Sequence, residues 1–330
     1  MEKKNENLKV SILIPMFNAS KYIRETIISA LNQTWGEKEI IIIDDGSSDE
    51  SYKIAKSFEC EILKVYKQNN SGAPSARNLA FEYSTGDYIQ YLDADDVMAS
   101  NKIEAQIKML AEYSFDEDII APCGWIEFKD GDKLESLKRR ETFINQDYIP
   151  AYKALIDYWK TFFPSIPYHN YLTHRNKIKS AGKWREDLKK NQDCEFFARV
   201  ICSCKRMIHC DKTLVYYRDV LNSIKEANTE EKIYSELISN REITKAILAK
   251  TKSQDAIYAC SLQYTEFIES RYPLNKKFLK EAYDDMRKYG LTFLTSHRGY
   301  SYKILYTLFG WRLAMHLLKP YNFIKGLLFH

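Results

Sequence analysis

The sequence contains no uncharged apolar run approaching the ~20 residues that a membrane-spanning helix needs. Its longest candidate, Ile304 to Leu318, is interrupted by Arg312. Met1 to Asn7 is polar and charged, so no apolar signal core is expected there. Standard zinc spacing is also absent: Cys202, Cys204, His209 and Cys210 do not match it and are expected to be small buried apolar groups. The cysteines number seven, an odd count in a chain of 330 residues that can bury a core without staples. A reducing, cytoplasmic setting fits that usage. No G-x-x-x-x-G-K-[ST] run exists, which excludes a Walker-type phosphate loop. Internal repeats and low-complexity linkers are missing as well. Finally, no Asp or Glu follows Asp285.

What is present is an ordinary globular composition, 45% hydrophobic and 28% charged. The first ~100 residues alternate strand and helix signals. Val10–Ile14 and Glu39–Ile43 read as buried strands, the second too apolar for a surface position. Ile62–Tyr66 and Tyr88–Leu92 read as two more. Between them, Ser20 can cap a helix whose apolar face includes Tyr22, Ile23, Ile27 and Leu31. A short helix runs to about Phe58, and a third opens at Ser71-Gly72-Ala73-Pro74. This order predicts an α/β fold: a Rossmann-like, mostly parallel sheet with helices on both faces. Further on, 147–163 and 192–202 read as helices, Tyr168–Thr173 as a strand, and the chain from Lys232 as helical with breaks near Tyr272-Pro273, Gly290 and Pro320.

In such a sheet, ligands bind beyond the carboxyl ends of the strands. The polar signals fall at those ends: Pro15-Met16-Phe17-Asn18, Asp44-Asp45-Gly46, Gln68 to Gly72, and Asp93-Ala94-Asp95-Asp96. Three carboxylates within four residues repel one another and persist best beside a cation. Oxygen ligands select hard ions such as Mg²⁺ or Mn²⁺, which bind through one or two carboxylates plus substrate phosphates. The motif therefore points to a diphosphate-bearing ligand as well as a metal. A solvated, helix-capping acidic turn is the plainer reading of those residues. Gly72 opens a helix whose N-terminus attracts phosphate, with Arg77 one turn in.

Together, the runs I-P-M-F-N-A, D-D-G-S-S-D, Q-N-N-S-G-A-P-S-A-R-N and G-D-Y-I-Q-Y-L-D-A-D-D resemble glycosyltransferase family 2 over residues 8–110. The resemblance implies the GT-A fold and inverting transfer from a nucleotide sugar. It implies that Pro15, Phe17 and Asn18 line the pocket for base and ribose, and that Asp45 hydrogen-bonds the base, usually uracil. Gly72 and Arg77 would lie on the donor side. Asp93 and Ala94 would contact ribose or sugar, Asp95 would hold Mn²⁺ or Mg²⁺, and Asp96 is the next metal ligand. A second segment, Ala181 to Leu188 followed by Asn191-Gln192-Asp193, looks like the family's acceptor side. Asp193 is then the expected general base, with Asp187 and Glu195 as alternatives, although Gln192 departs from the family's usual acid. His169 and His174 are expected to be structural.

These implications set the expected organisation: a GT-A catalytic domain over 1–225, with donor half 8–110 and acceptor half 111–225, then a helical region over 226–330. The expected donor is a UDP-sugar and the expected reaction hexosyl transfer to a glycan, a lipid-linked one included. Arg287, Lys288, Arg298, Lys303, Arg312, Lys319 and Lys325 give the tail seven positive charges against a total of +4, and aromatic residues are interleaved with them. Such a tail suits a helix on an anionic bilayer, here the inner membrane surface, with packing on the protein as the alternative. No nucleic-acid motif accompanies the charge, so nucleic acid is not an expected partner. Two rivals are a nucleotidyltransferase, disfavoured by the loop Pro15 to Asn18, and a non-catalytic nucleotide-sugar-binding module, disfavoured by the intact Asp93, Asp95 and Asp193.

Overall fold

The computed structural model describes residues 8–139, 142–161, 168–220, 229–273, 275–294 and 312–313. The chain forms two compact units, Met1–Lys250 and Thr251–His330. In the first, β1 (Val10–Met16), α1 (Ile23–Leu31), β2 (Lys38–Asp44), α2 (Ser51–Lys56), β3 (Leu63–Lys67), α3 (Ala73–Tyr83) and β4 (Tyr88–Tyr91) follow the expected alternation. After them come β5 (Val97–Met98), α4 (Lys102–Glu112), β6 (Ile119–Ala121), β7 (Cys123–Phe128), α5 (Lys153–Trp159), β8 (Leu172–His174), α6 (Arg175–Ala181) and α7 (Gln192–Ser203). The unit closes with β9 (Arg206–Met207), β10 (Cys210–Arg218) and α8 (Glu230–Lys250).

Among the described residues, seven strands form one sheet in the order β3-β2-β1-β4-β8-β6-β9. Every residue of β1 is buried, as befits a central strand covered on both faces. At the edge, β3 instead alternates buried Leu63 and Val65 with exposed Lys64 and Tyr66. The first four strands pair in parallel, and β8 runs antiparallel between β4 and β6. A smaller sheet has the order β5-β10-β7. Leu13 pairs with Tyr91, so β4 stops level with the middle of β1. The chain then crosses from the large sheet to the small one, and residues 93–96 are that crossing. The acidic motif thus lies beside the carboxyl end of β1.

Local differences from expectation have identifiable causes. Helix α1 starts at Ile23 and has no side-chain cap, while the Ser20 N–H donates to Asp49 Oδ2 at 3.1 Å. The helix expected over 147–163 shortens to α5 because Tyr148 pairs with Met207 and Pro150, with no N–H, interrupts. Tyr168, His169 and Asn170 form a 3-10 turn with all three side chains buried, and the strand begins only at Leu172. Near its end, the first unit clasps the start of α7. Ser235 Oγ accepts from Lys189 N–H at 2.8 Å, and Ser239 Oγ donates to the Asn191 carbonyl at 3.1 Å.

The second unit contains α9 (Gln254–Arg271) and α10 (Lys276–Tyr289). Ser253 caps α9, and Gly290 ends α10 at φ 67°, in the left-handed region. Tyr264 donates to Asp285 Oδ2 at 3.2 Å between the two helices. No helix among the described residues is long and apolar enough to cross a membrane. Most of the basic aromatic tail, with the break expected at Pro320, lies outside the described residues.

Candidate functional site

The carboxyl ends of β1, β2 and β4 and the start of α3 surround one cleft of 580 Å³. Its wall includes Pro15, Phe17, Asn18, Asp45, Gly72, Arg77, Asp93, Ala94 and Asp95, together with Tyr22 and Val220, which pattern reading passed over. Phe17 is 50% exposed, an aromatic face left open at the rim. Asn18 sits at φ 46°, a region Asn tolerates, and its Oδ1 accepts from Ser48 N–H at 2.9 Å. Asp45 shapes the floor: Oδ1 accepts from Gln68 Nε2 at 2.7 Å and Ser71 N–H at 2.8 Å, and Oδ2 from Gly72 N–H at 2.9 Å. Its carboxylate therefore holds the loop that opens α3, and Oδ2, which accepts one of these bonds, keeps room for a further donor. Gly46 at φ 78° passes close to this loop, where an added Cβ would lie 3.0 Å from Asn70 N. Gly72, at φ 92° and ψ 156°, occupies a region that is essentially glycine-only.

Arg77 is buried, and its guanidinium is committed to protein groups. It meets Asp93 Oδ1 at 3.1 Å and Gln192 Oε1 at 3.4 Å, and it also donates to the Tyr168 hydroxyl. Its carbon lies 4.8 Å from the Tyr168 ring centre and 4.6 Å from that of Trp184. Burial opposes its charge, but the Tyr168 oxygen and Asp93 more than compensate. Tyr168 in turn donates to Asp93. Arg77 therefore ties Asp93 to the start of α7, where Asp193 lies.

Residues 93–96 are held from behind by Arg218, the last residue of β10. Its N–H donates to Asp96 Oδ1 at 2.7 Å and its Nε to the Asp95 carbonyl at 2.7 Å. Thr26 Oγ1 donates to the Ala94 carbonyl at 3.0 Å. With the backbone pinned, Asp93 and Asp95 face the cleft while Asp96 turns inward, 1% exposed. Burial, reinforced by Asp93, raises the Asp95 carboxyl to about 6, and burial with its two acidic neighbours raises Asp96 well above the usual range. Both directions mark a place that favours added positive charge. Asp93, Asp96 and His169 each offer a ligand atom, all within 4.8 Å of one another. This donor set fits a divalent ion.

Asp193 stands in the first turn of α7 beside a small cavity lined by Tyr158, Tyr168, Tyr171 and Cys194. Burial raises its carboxyl, while the Cys194 backbone N–H and the Arg77 charge partly offset this. The alternatives are engaged elsewhere: Asp187 is exposed and meets Arg185 Nε at 3.0 Å, and Glu195 is buried against Arg199 Nε at 2.7 Å. His174 lies 3.5 Å from Glu117. All seven cysteines are free, with Cys202, Cys204 and Cys210 buried. Tyr168 and Arg218 carried no motif signal, because each acts through contacts 75 or more residues away in sequence, whereas Trp184, its ring centre 4.6 Å from the Arg77 guanidinium, stands in the segment Ala181 to Leu188.

Residues 11–182 match glycosyltransferase family 2. The chain is 44% identical over 116 residues to an uncharacterized glycosyltransferase of Rickettsia prowazekii, covering 35% of this chain and 36% of that protein. It is 40% identical over 108 residues to a putative teichuronic acid biosynthesis glycosyltransferase, TuaG, of Bacillus subtilis, covering 32% and 43%. Both matches thus span less than half of those relatives' length. Among solved structures, residues 1–349 of S. aureus TarS superpose with a TM-score of 0.67 at 17% identity, covering 95% of this chain and 92% of that one. The same part of TarS has been crystallised with UDP-GlcNAc, and that structure superposes with a TM-score of 0.60 at 15% identity, covering 91% and 92%. The shared fold is GT-A.

Proposed function

We propose, for a chain that belongs to glycosyltransferase family 2, inverting transfer of a hexosyl group from a UDP-sugar to a glycan acceptor, a lipid-linked acceptor included, in cell-surface polysaccharide synthesis. The observation that carries this reading is the single cleft in which Asp45, Gly72, Arg77, Asp93 and Asp95 meet. TarS binding of UDP-GlcNAc supports the choice of donor class, and the teichuronic acid relative supports the acceptor class.

The geometry supports the following roles. Pro15, Phe17 and Asn18 form the wall for base and ribose, with the open Phe17 ring available for stacking. Asp45 acts mainly by holding Ser71 and Gly72 at the opening of α3, where N–H groups suit phosphate oxygens. Asp93, fixed by Arg77 and Tyr168, faces ribose or sugar along with Ala94. Asp95 and Asp96 with Asp93 would hold Mn²⁺ or Mg²⁺, which when bound offsets the charge that grows on the leaving diphosphate. Asp193 takes the proton of the attacking acceptor hydroxyl, and its raised carboxyl value makes it a better base than a solvated Asp. One base suffices for a single displacement, which inverts the anomeric centre. The cytoplasmic face of a membrane is the proposed place of work, with the basic tail as the attachment.

Isothermal titration tests the donor half of this reading. UDP should bind with Mn²⁺ or Mg²⁺ present and at least tenfold more weakly with a chelator. Equal affinity in both conditions would overturn the roles of Asp95 and Asp96.

A further inference from the structure

Behind the acidic loop lies a group that the family motif does not include. His169 is fully buried on the turn before β8, and its Nδ1 lies 3.2 Å from Asp96 Oδ2. The two are close but not in hydrogen-bond geometry. Asp96 Oδ2 and both ring nitrogens of His169 have no hydrogen-bond partner among the described residues. Buried polar atoms are normally satisfied, and an unsatisfied pair such as Asp96 Oδ2 and the facing His169 Nδ1 is a place where an ion or water can sit. Asp93 shares that point, since one oxygen of each acid and one nitrogen of His169 fall within 4.8 Å of one another.

The turn that carries His169 is itself fixed. Its carbonyl accepts from Gln90 Nε2 at 2.6 Å, and the Asn170 carbonyl accepts from Gln106 Nε2 at 3.0 Å. Both amides are oriented by the buried Lys102, whose Nζ donates to Gln106 Oε1 at 2.7 Å and to Gln90 Oε1. On the other side, the imidazole stacks on Tyr217 at 6.1 Å with planes 12° apart. The turn is thus held by Gln90 and Gln106, and the ring by Tyr217.

We infer that His169 is a nitrogen ligand of the divalent ion assigned above to Asp93, Asp95 and Asp96, joining Asp93 and Asp96 on the side away from Asp95 and the cleft, so that the protein selects Mn²⁺ over Mg²⁺. This rests on the metal-dependent reading above and adds a ligand and a selectivity to it. Imidazole suits first-row transition ions, whereas Mg²⁺ keeps an oxygen shell. A seat of oxygen ligands alone would not make that distinction so strongly.

The test is pulsed electron paramagnetic resonance on the full chain loaded with Mn²⁺ and UDP. Modulation from a directly bound ¹⁴N is expected, and it should disappear in His169→Phe, which keeps the ring stacked on Tyr217. The same variant should bind Mn²⁺ at least tenfold more weakly while Mg²⁺ affinity changes less than threefold. Metal-dependent UDP binding with no nitrogen signal in the wild-type chain would overturn the ligand role and leave the broader reading standing, with His169 as a structural neighbour of Asp96. UDP binding with no metal dependence would overturn both. The wild-type measurement decides the question even if the variant does not fold.

Discussion

Two side chains at the centre of the site do different work, and substitutions separate them. Asp193→Asn removes the proposed proton acceptor without altering volume. Turnover should fall about 10²- to 10⁴-fold, while UDP affinity by titration stays within twofold; a matching loss of affinity would mean the residue is structural. Because burial raises this carboxyl above its usual 3.8, the acid form persists to higher pH than for a solvated Asp. Activity should therefore rise with pH through a midpoint above the ordinary carboxylate range, measured as kcat/KM. Tyr168→Phe deletes the hydroxyl that bridges Arg77 and Asp93. The expected result is a rise in donor KM with the fold retained; unchanged kinetics would show that Arg77 alone orients Asp93.

The elements that build the cleft were legible where their signal is local. The apolar runs of β1 and β2 and the turn residues after them fall where alternation placed them. Gly72 is the clearest local instruction, since its φ of 92° with ψ of 156° admits almost no other residue. Gly72→Ala should cost about 1–3 kcal/mol of stability and weaken UDP binding by displacing the N–H held by Asp45; a neutral melt in denaturant would contradict this. Less legible were the shortest strands. β5 and β9 span two residues each, too few for a period to show. Their identity comes from pairing with distant partners, as Val97 does with Tyr216. The same distance hid Arg218, which no spacing ties to residues 93–96 but which orients them directly. Motifs thus reported residues that line the cleft and missed Tyr168 and Arg218, which hold Asp93 and residues 95–96 in place.

At the scale of the whole molecule, buried thiols set a limit on alkaline stability. Burial pushes Cys123 and Cys202 up to about 11 and Cys204 to about 12. In the unfolded chain these groups ionise near ~8.5. Their folded values are higher, so the stability they confer is full below that pH and is lost as pH climbs toward the folded values. Lys102, lowered by burial to about 8, and Lys38, also lowered by burial, act in the opposite direction, but as two groups against five thiols, since burial raises Cys194 and Cys210 too. The melting temperature should therefore fall between pH 8 and pH 10, and a flat profile would show that the thiols are already solvated. The clasp of α8 on the start of α7 has a different consequence. The family-matched stretch ends at residue 182, whereas Asp193 and the serines that brace its helix lie beyond it. Replacing Ser235 and Ser239 with alanine should leave nucleotide capture intact and slow transfer. Sequence drift in that one helix would then retune which acceptors are glycosylated, and how fast, without disturbing the machinery that recognises the donor.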